Sequence, residues 1–315
     1  MEEAERVTGA LLGLAVGDAL GTTLEFKRPG TFEPLTDMVG GGPFKLAAGE
    51  WTDDTSMALC LAQSLIECRG FDPLDQLERY VRWFRHGHYS VTGACFDIGI
   101  TTRSALLAFE GSGEPHSGPT RSDTAGNGSI MRLAPVPSAY AADPPAAIRL
   151  AGESSRTTHG AAECIAACRY LGGLIVGAIR GVGKGELLAP RYTPVPGSWD
   201  LEPLSGRVDE VAAGSFIRKA PPQIRGSGYV VESLEAALWA FASTSSFEEG
   251  ALAAVNLGDD ADTTGAVYGQ IAGAFYGAAG IPAKWLEKLA MRGEIERLAE
   301  GLTRLDMSRR GPGVA

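Results

Sequence analysis

Paired cysteines, clustered histidines and a basic charge balance are all missing from this sequence, and each absence excludes a class of function. The five cysteines (Cys60, Cys68, Cys95, Cys164 and Cys168) form no CxxC pair and no zinc spacing. Cys60/Cys68 and Cys164/Cys168 lie at helical repeats inside apolar stretches, as small core residues do. An odd, scattered set of thiols suits a reducing compartment. His86, His88 and His116 show no ligand spacing and read as ordinary surface or packing residues. There is no P-loop and no His-rich metal site, which argues against a phosphohydrolase. A net charge of −10 and a pI near 5.0 argue against non-specific nucleic-acid binding and against an anionic membrane surface. The opening "MEEAERVTG" is acidic where a signal peptide is basic, and "GALLGLAVGDAL" is too short and interrupted to span a bilayer. The expectation is a soluble, cytoplasmic monomer with neither membrane nor nucleic acid as partner.

Alternating strands are lacking too. "TPVPGSW" and "GSGYVV" are short and broken by Pro or Gly. Helical periodicity is what the chain has instead. "EEAERVTGALLGLAVGDAL", "TSMALCLAQSLIECR", "PLDQLERYVRWFRHG", "DIGITTRSALLAFEG", "AAECIAACRYLGGLIVGAI", "VVESLEAALWAFAST" and "DTTGAVYGQIAGAFYGAAG" all carry apolar residues at three- and four-residue spacing. Glycine and alanine within these helices suggest close helix–helix approach, at some cost in propensity. With 44% hydrophobic and 21% charged residues, the chain can bury a substantial core. An all-α, compact orthogonal helical bundle is expected. Residues 111–123 and 181–207 are Gly/Pro-rich and read as surface loops, and 307–315 as a flexible tail. Related acidic motifs sit on both sides of each loop, so a single domain over 1–315 is expected.

Acid is plentiful in three places, each a polar turn followed by an apolar helix. "GDALGTTLEF" holds Asp18 and Glu25; "WTDDTSMAL" holds Thr52, Asp53, Asp54 and Thr55; "GDDADTTGAVYG" holds Asp259, Asp260, Asp262, Thr263 and Thr264. Taken singly, each has a plain reading as helix capping, and for "TDDTSMAL" alone that reading comes first. Together they say more. Residues two apart do not share a helix face, so Asp260 and Asp262 converge only if the backbone turns into the helix there. Acids gathered from three segments repel one another unless a cation neutralises them. Mg²⁺ takes six oxygen ligands at about 2.0–2.1 Å. "DADTTG" does not match an EF-hand loop, and the absence of histidine near the acids argues against zinc.

The order "GLAVGDALGTTLEF", "GEWTDDTSMALCLAQSL", "CFDIGITTRSAL", "GNGSIMRLAPV", "SRTTHG", "GSGYVVESLEAALWAF" and "GDDADTTGAVYGQIAGAFYG" runs over nearly the whole chain. In these motifs the sequence resembles the ADP-ribosylglycohydrolases, especially the bacterial dinitrogenase reductase-activating glycohydrolase branch. The resemblance implies an all-α fold with a binuclear Mg²⁺ or Mn²⁺ centre in a cleft. Thr52, Asp53 and Asp54 would hold one ion. Asp260 and Thr263 would hold the other, with Asp262 bridging and Glu25 approaching from its loop. Asp259 stands where many relatives carry a neutral residue such as Asn or Gly. It is either a group behind the ligands or one that faces solvent.

The substrate side is read in the same way. Gly126, Asn127, Gly128 and Ser129 in "AGNGSIMR" would by themselves be an ordinary turn; under the resemblance they become a phosphate cradle. His159 in "RTTHG" would lie near the diphosphate and adenosine end. Gly228 and Tyr229 in "GSGYVV" would border the site, with Tyr229 stacking on adenine or simply packing. Asp97 in "CFDIGITT" reads alone as a helix cap. In the resembling enzymes it would sit at the cleft mouth, where a carboxylate takes two parallel hydrogen bonds from a guanidinium leaving group. Trp51 and "WFRHGHY" read as packing. The reaction implied is metal-dependent release of ADP-ribose from a modified protein side chain, arginine first, by a metal-activated water attacking the anomeric carbon. Glu25, Asp260 and Asp97 are the catalytic candidates, with Glu25 or an Asp of the second cluster taking the water proton. The alternatives are another ADP-ribosyl linkage (serine, a nucleic-acid end or O-acetyl-ADP-ribose), or a non-catalytic ADP-ribose-binding or structural relative. The intact acid set argues against the last.

Overall fold

The computed structural model describes residues 1–305, so the tail read at 307–315 lies outside the described residues. In chain order its helices are α1 (Glu3–Gly21), α2 (Asp53–Glu67), α3 (Pro73–His86), α4 (Ile100–Ser112) and α5 (Pro135–Ala139). Next come α6 (Pro144–Arg156), α7 (Ala162–Ile179), α8 (Lys184–Leu187), α9 (Ser198–Leu201) and α10 (Gly206–Ala212). The last five are α11 (Val230–Ser243), α12 (Phe247–Val255), α13 (Ala261–Tyr276), α14 (Ala283–Leu286) and α15 (Arg292–Thr303). Among the described residues no strand forms; only isolated bridges join Gly41 to Leu46 and Gly126 to Tyr229. The fold is all-α, as the periodicity requires.

Glycine decides how the centre is packed. α1 and α13 run antiparallel with glycines at every fourth position meeting across the seam. A Cβ added at Gly13 would lie 2.2 Å from the Gly269 carbonyl oxygen, and one at Gly17 would lie 2.0 Å from that of Gly265. The reverse holds at Gly269 and Gly273, where the nearest atoms, the Gly13 and Gly9 oxygens, are both at 1.9 Å. No side chain fits there. Each helical glycine costs about 0.8–1.0 kcal/mol relative to alanine, and the close backbone approach is what it makes possible. The seam ends at Gly21, whose added Cβ would stand 2.4 Å from Asp262 Cα. The end of α1, the start of α13 and the loop carrying Glu25 are thereby forced together.

A second tie fixes the opposite wall. Gln270, fully buried on α13, accepts from the Ala134 N–H at 2.7 Å and donates to the carbonyls of Ile130 (3.0 Å) and Met131 (2.8 Å). This anchors the turn that carries residues 126–129. Helix α7 is, among the described residues, the one long and apolar enough to cross a bilayer. It is mostly buried inside the protein, with Cys164, Cys168, Leu171 and Leu174 in the core. Residues 181–207 are mostly exposed or half-buried, but not without structure. They contain α8 and α9 and bury Leu187, Trp199 and Leu204, because apolar residues every few positions give short helical turns something to pack with.

Candidate active site

Helix α2 begins at the floor of a cleft of ≈ 520 Å³ lined by Glu25, Asp53, Asp97, Gly126, Asn127, Gly128, His159, Gly228, Asp259, Asp260, Asp262 and Thr263. Thr52 occupies its N-cap position, but its side chain does not cap the helix. Asp18 does so from α1. Its Oδ1 accepts from the Thr52 N–H and hydroxyl, both at 2.9 Å, and its Oδ2 from the Thr55 N–H (3.0 Å) and hydroxyl (2.7 Å). The capping role read for Thr52 and its neighbouring acids therefore passes to Asp18, and Asp53 and Asp54 are left for other work. The Thr52 hydroxyl also lies 3.2 Å from Asp262 Oδ2 and 3.4 Å from Asp54 Oδ2. One hydrogen cannot serve three carboxylates.

The other acids share this shortage of donors. One oxygen each of Glu25, Asp97 and Asp262 come within 4.8 Å of one another. Glu25 Oε2, Asp54 Oδ1 and Asp262 Oδ1 are buried without a hydrogen-bond partner. Burial pushes Glu25 up to about 10, with the neighbouring charge of Asp97 adding to the shift. Asp97 is raised to about 7 by burial, offset in part by its hydrogen bond to Glu25. Asp53, Asp54 and Asp262 are all held well above the usual carboxylate range, by burial first and then by neighbouring carboxylates, Asp97 for Asp53, Asp18 for Asp54 and Glu25 for Asp262. Orphaned buried oxygens are expensive unless something neutralises them. An all-oxygen donor set without His or Cys fits hard divalent cations of the Mg²⁺ or Mn²⁺ type.

Asp260 enters from the start of α13. Its Oδ2 accepts from Asn127 Nδ2 at 2.6 Å, and its N–H donates to the Gly226 carbonyl at 2.9 Å. Asn127 Nδ2 also reaches Ser233 Oγ at 2.8 Å, so the amide is locked while it holds the acid. Asp259 has φ +59 and is half-buried. Its backbone pairs with the Glu25 loop, its carbonyl accepting from the Phe26 N–H and its N–H donating to the Lys27 carbonyl, both at 2.7 Å. Asp97 does not cap α4, whose N-cap is Gly99 without a side-chain bond. Held at φ +56, a conformation uncommon for a residue with a side chain, it is half-buried and brings an oxygen to Glu25 and Asp262 in the cleft lining.

At the far wall, His159 is buried with its ring against Gly126 and Gly128. A Cβ on Gly128 would lie 2.8 Å from His159 Cε1. Gly228 sits at the cleft edge, tied by its carbonyl to the Asn127 N–H at 3.1 Å. Two sequence neighbours turn away from the lining. Ser129 bonds Ser155 at 2.9 Å in the core. The Tyr229 hydroxyl donates to Glu163 at 2.5 Å, under the Arg207 guanidinium at 5.2 Å from the ring. His88 meets Gln63 at 2.9 Å, and Trp51 is fully buried with its indole N–H on the Ala290 carbonyl at 3.2 Å. Sequence reasoning did not single out Phe26, Ile98, Ile100, Thr102 and Met131 of the lining. Nor did it find the capping work of Asp18. None carried a signal in sequence, because their roles arise from packing between distant segments.

A glycoside hydrolase family model, that of ADP-ribosylglycohydrolase, matches residues 1–312. The "ADP-ribosylarginine hydrolase Tri1" of Pseudomonas putida (strain GB-1) is 47% identical over 298 residues, 95% of this chain and 78% of that protein. The "ADP-ribosyl-[dinitrogen reductase] glycohydrolase" of Rhodospirillum rubrum is 33% identical over 93% of this chain and 92% of its own length. A solved structure described as an "ADP-ribosylglycohydrolase-related protein complex" superposes with a TM-score of 0.85 at 46% identity, covering 97% of this chain and 99% of that one. Fold and matches together define the class, an enzyme that hydrolyses a glycosidic bond. The chain belongs to the ADP-ribosylglycohydrolase family.

Proposed function

We propose that the chain releases ADP-ribose from modified arginine side chains of proteins, using two divalent cations, Mg²⁺ or Mn²⁺, at the acidic end of the cleft. The observation that carries this reading is the convergence of Glu25, Asp97 and Asp262 oxygens beside unpartnered Asp54 and Asp262 atoms, in a cleft whose other wall is glycine. The choice of arginine is supported by the name of the Pseudomonas putida relative and by Asp97.

Thr52, Asp53 and Asp54 would hold one cation and Asp260 and Thr263 the other, with Asp262 available to both. Bound there, the cations would supply positive charge that lowers the pKa of a water and steadies ribose hydroxyls. Asp18 keeps Thr52 in place, and Asn127 keeps Asp260 in place. Kept ionised by positive charge bound beside it, which would reverse the rise that burial and Asp97 impose, Glu25 would take the proton as the water oxygen bonds to the anomeric carbon. The bond from that carbon to the guanidine nitrogen breaks, and the proton leaves with the guanidine. Asp97 balances the guanidinium charge as it departs, as a carboxylate does best away from bulk water.

The test is a pair of peptides ADP-ribosylated on arginine or on serine, assayed for released ADP-ribose. Faster release from arginine is expected. Faster release from serine would reject the leaving-group assignment, and release from neither would reject modified arginine and serine side chains as substrates.

A further inference from the structure

Arg132 is fully buried, and among the described residues no carboxylate comes within 4.0 Å of its guanidinium. Its donors all go to neutral acceptors. Nε bonds the Tyr80 hydroxyl at 3.1 Å. One terminal nitrogen reaches the Gly128 carbonyl and Met57 Sδ, the latter at 3.9 Å. The other reaches Thr158 Oγ1 at 2.7 Å and Thr157 Oγ1 at 3.4 Å. The Tyr80 ring lies 4.6 Å from the guanidinium carbon. A buried cation without an anion is costly. Its acceptor Gly128 lines the glycine wall of the cleft, where an anion could approach.

The Thr158 contact has a consequence for the next residue. A guanidinium can only donate, so Thr158 Oγ1 accepts from Arg132. The hydroxyl's one hydrogen is then free for His159 Nδ1, which lies 2.9 Å away. Given to Nδ1, that hydrogen would make Nδ1 the acceptor and leave the proton on Nε2, the atom turned toward Gly126 and Gly128.

We infer that Arg132 is a positioning residue which, through Thr158, fixes His159 as the Nε2–H tautomer, so that the glycine wall presents a neutral N–H donor, backed by a buried positive charge, to an anionic oxygen of the substrate. This rests on the ADP-ribose reading above, which supplies the anion as a diphosphate. Burial, with the Arg132 charge behind it, holds His159 down to about 3, so the ring stays neutral in the working range.

The test uses the full chain labelled with ¹⁵N-histidine. With four histidines in all, the His159 signals are assigned by their loss in His159→Gln. The wild type and Thr158→Ser are expected to show the Nε2–H pattern. Thr158→Val, which keeps the shape and removes the hydroxyl, is expected to lose that pattern. It should also bind ADP-ribose about tenfold more weakly in calorimetry, with KM rising more than kcat falls. An Nδ1–H pattern in the wild type would overturn the inference. So would an unchanged tautomer in Thr158→Val, or equal weakening in the serine and valine variants. A wild type with the Nε2–H pattern that binds no ADP-ribose would count against the substrate reading instead, leaving the relay supported.

Discussion

The two ends of the cleft are imbalanced in opposite senses. At one end, carboxylates from four segments outnumber the donors available to them, and Glu25, Asp54 and Asp262 each keep a buried oxygen with no partner among the described residues. At the other, the Arg132 guanidinium is buried among neutral acceptors, with no carboxylate beside it among the described residues. A protein built for stability alone would bring such charges together. Here the chain holds them apart, with the Asn127–Asp260 hydrogen bond and the Gln270 anchor fixing the spacing. The difference teaches what each end takes: cations at the acidic end, an anion at the glycine end.

The sharpest way to break the acidic end is Asp262→Ala. It removes the carboxylate assigned to both cations, and kcat should fall more than about 100-fold together with metal affinity. Isothermal titration with Mn²⁺ beside steady-state kinetics would check both. Full metal affinity in this variant would show that the ions, if bound, sit elsewhere.

Removing metal attacks the same end without mutation. The folded-state pKa of Glu25 is raised to about 10 and that of Asp97 to about 7, with Asp53, Asp54 and Asp262 raised as well. Groups raised in this sense stabilise the fold below their ordinary values near 4 and lose that contribution as pH rises through the folded values. In EDTA, Tm should therefore drop by several degrees between pH 5 and pH 9, at about 2–4 °C per kcal/mol for a chain of this size. Saturating Mg²⁺ or Mn²⁺ should flatten the decline, because the ions bind the deprotonated acids. Parallel curves with and without metal would contradict the cation assignment.

Asp97→Asn separates leaving-group chemistry from ligand binding. It should lower kcat/KM for an arginine conjugate by about tenfold or more, while affinity for free ADP-ribose changes little. An equal fall in both would place Asp97 among groups that merely hold the site together. The smallest effect is expected at Asp259, whose structural contribution is backbone pairing with Phe26 and Lys27. Asp259→Ala should leave kcat within about threefold of wild type, since it takes away no ligand. A loss as large as that in Asp262→Ala would mean that the ligand register along "GDDADTT" is shifted.

How far these roles could be read from sequence follows from how local they are. The helices were legible because apolar spacing is a local property, and the three acidic segments because Asp and Thr cluster visibly at helix starts. Asp18 was legible only as an acid. Nothing within α1 shows that it caps a later helix through Thr52, 34 residues on. Ser129 and Tyr229 were drawn in by their neighbours, but a side chain can turn away from a site its backbone borders, as theirs do toward Ser155 and Glu163. The positive φ of Asp97 and the missing counter-ion of Arg132 are properties of the assembled chain alone.

The most direct measurement is single-turnover cleavage of an ADP-ribosyl-arginine peptide by protein stripped of metal, then reloaded with Mg²⁺ or Mn²⁺. The stripped chain should still bind ADP-ribose through the glycine end yet release none from the peptide, and either ion should restore release. Cleavage at the full rate by the rigorously stripped chain would contradict the account.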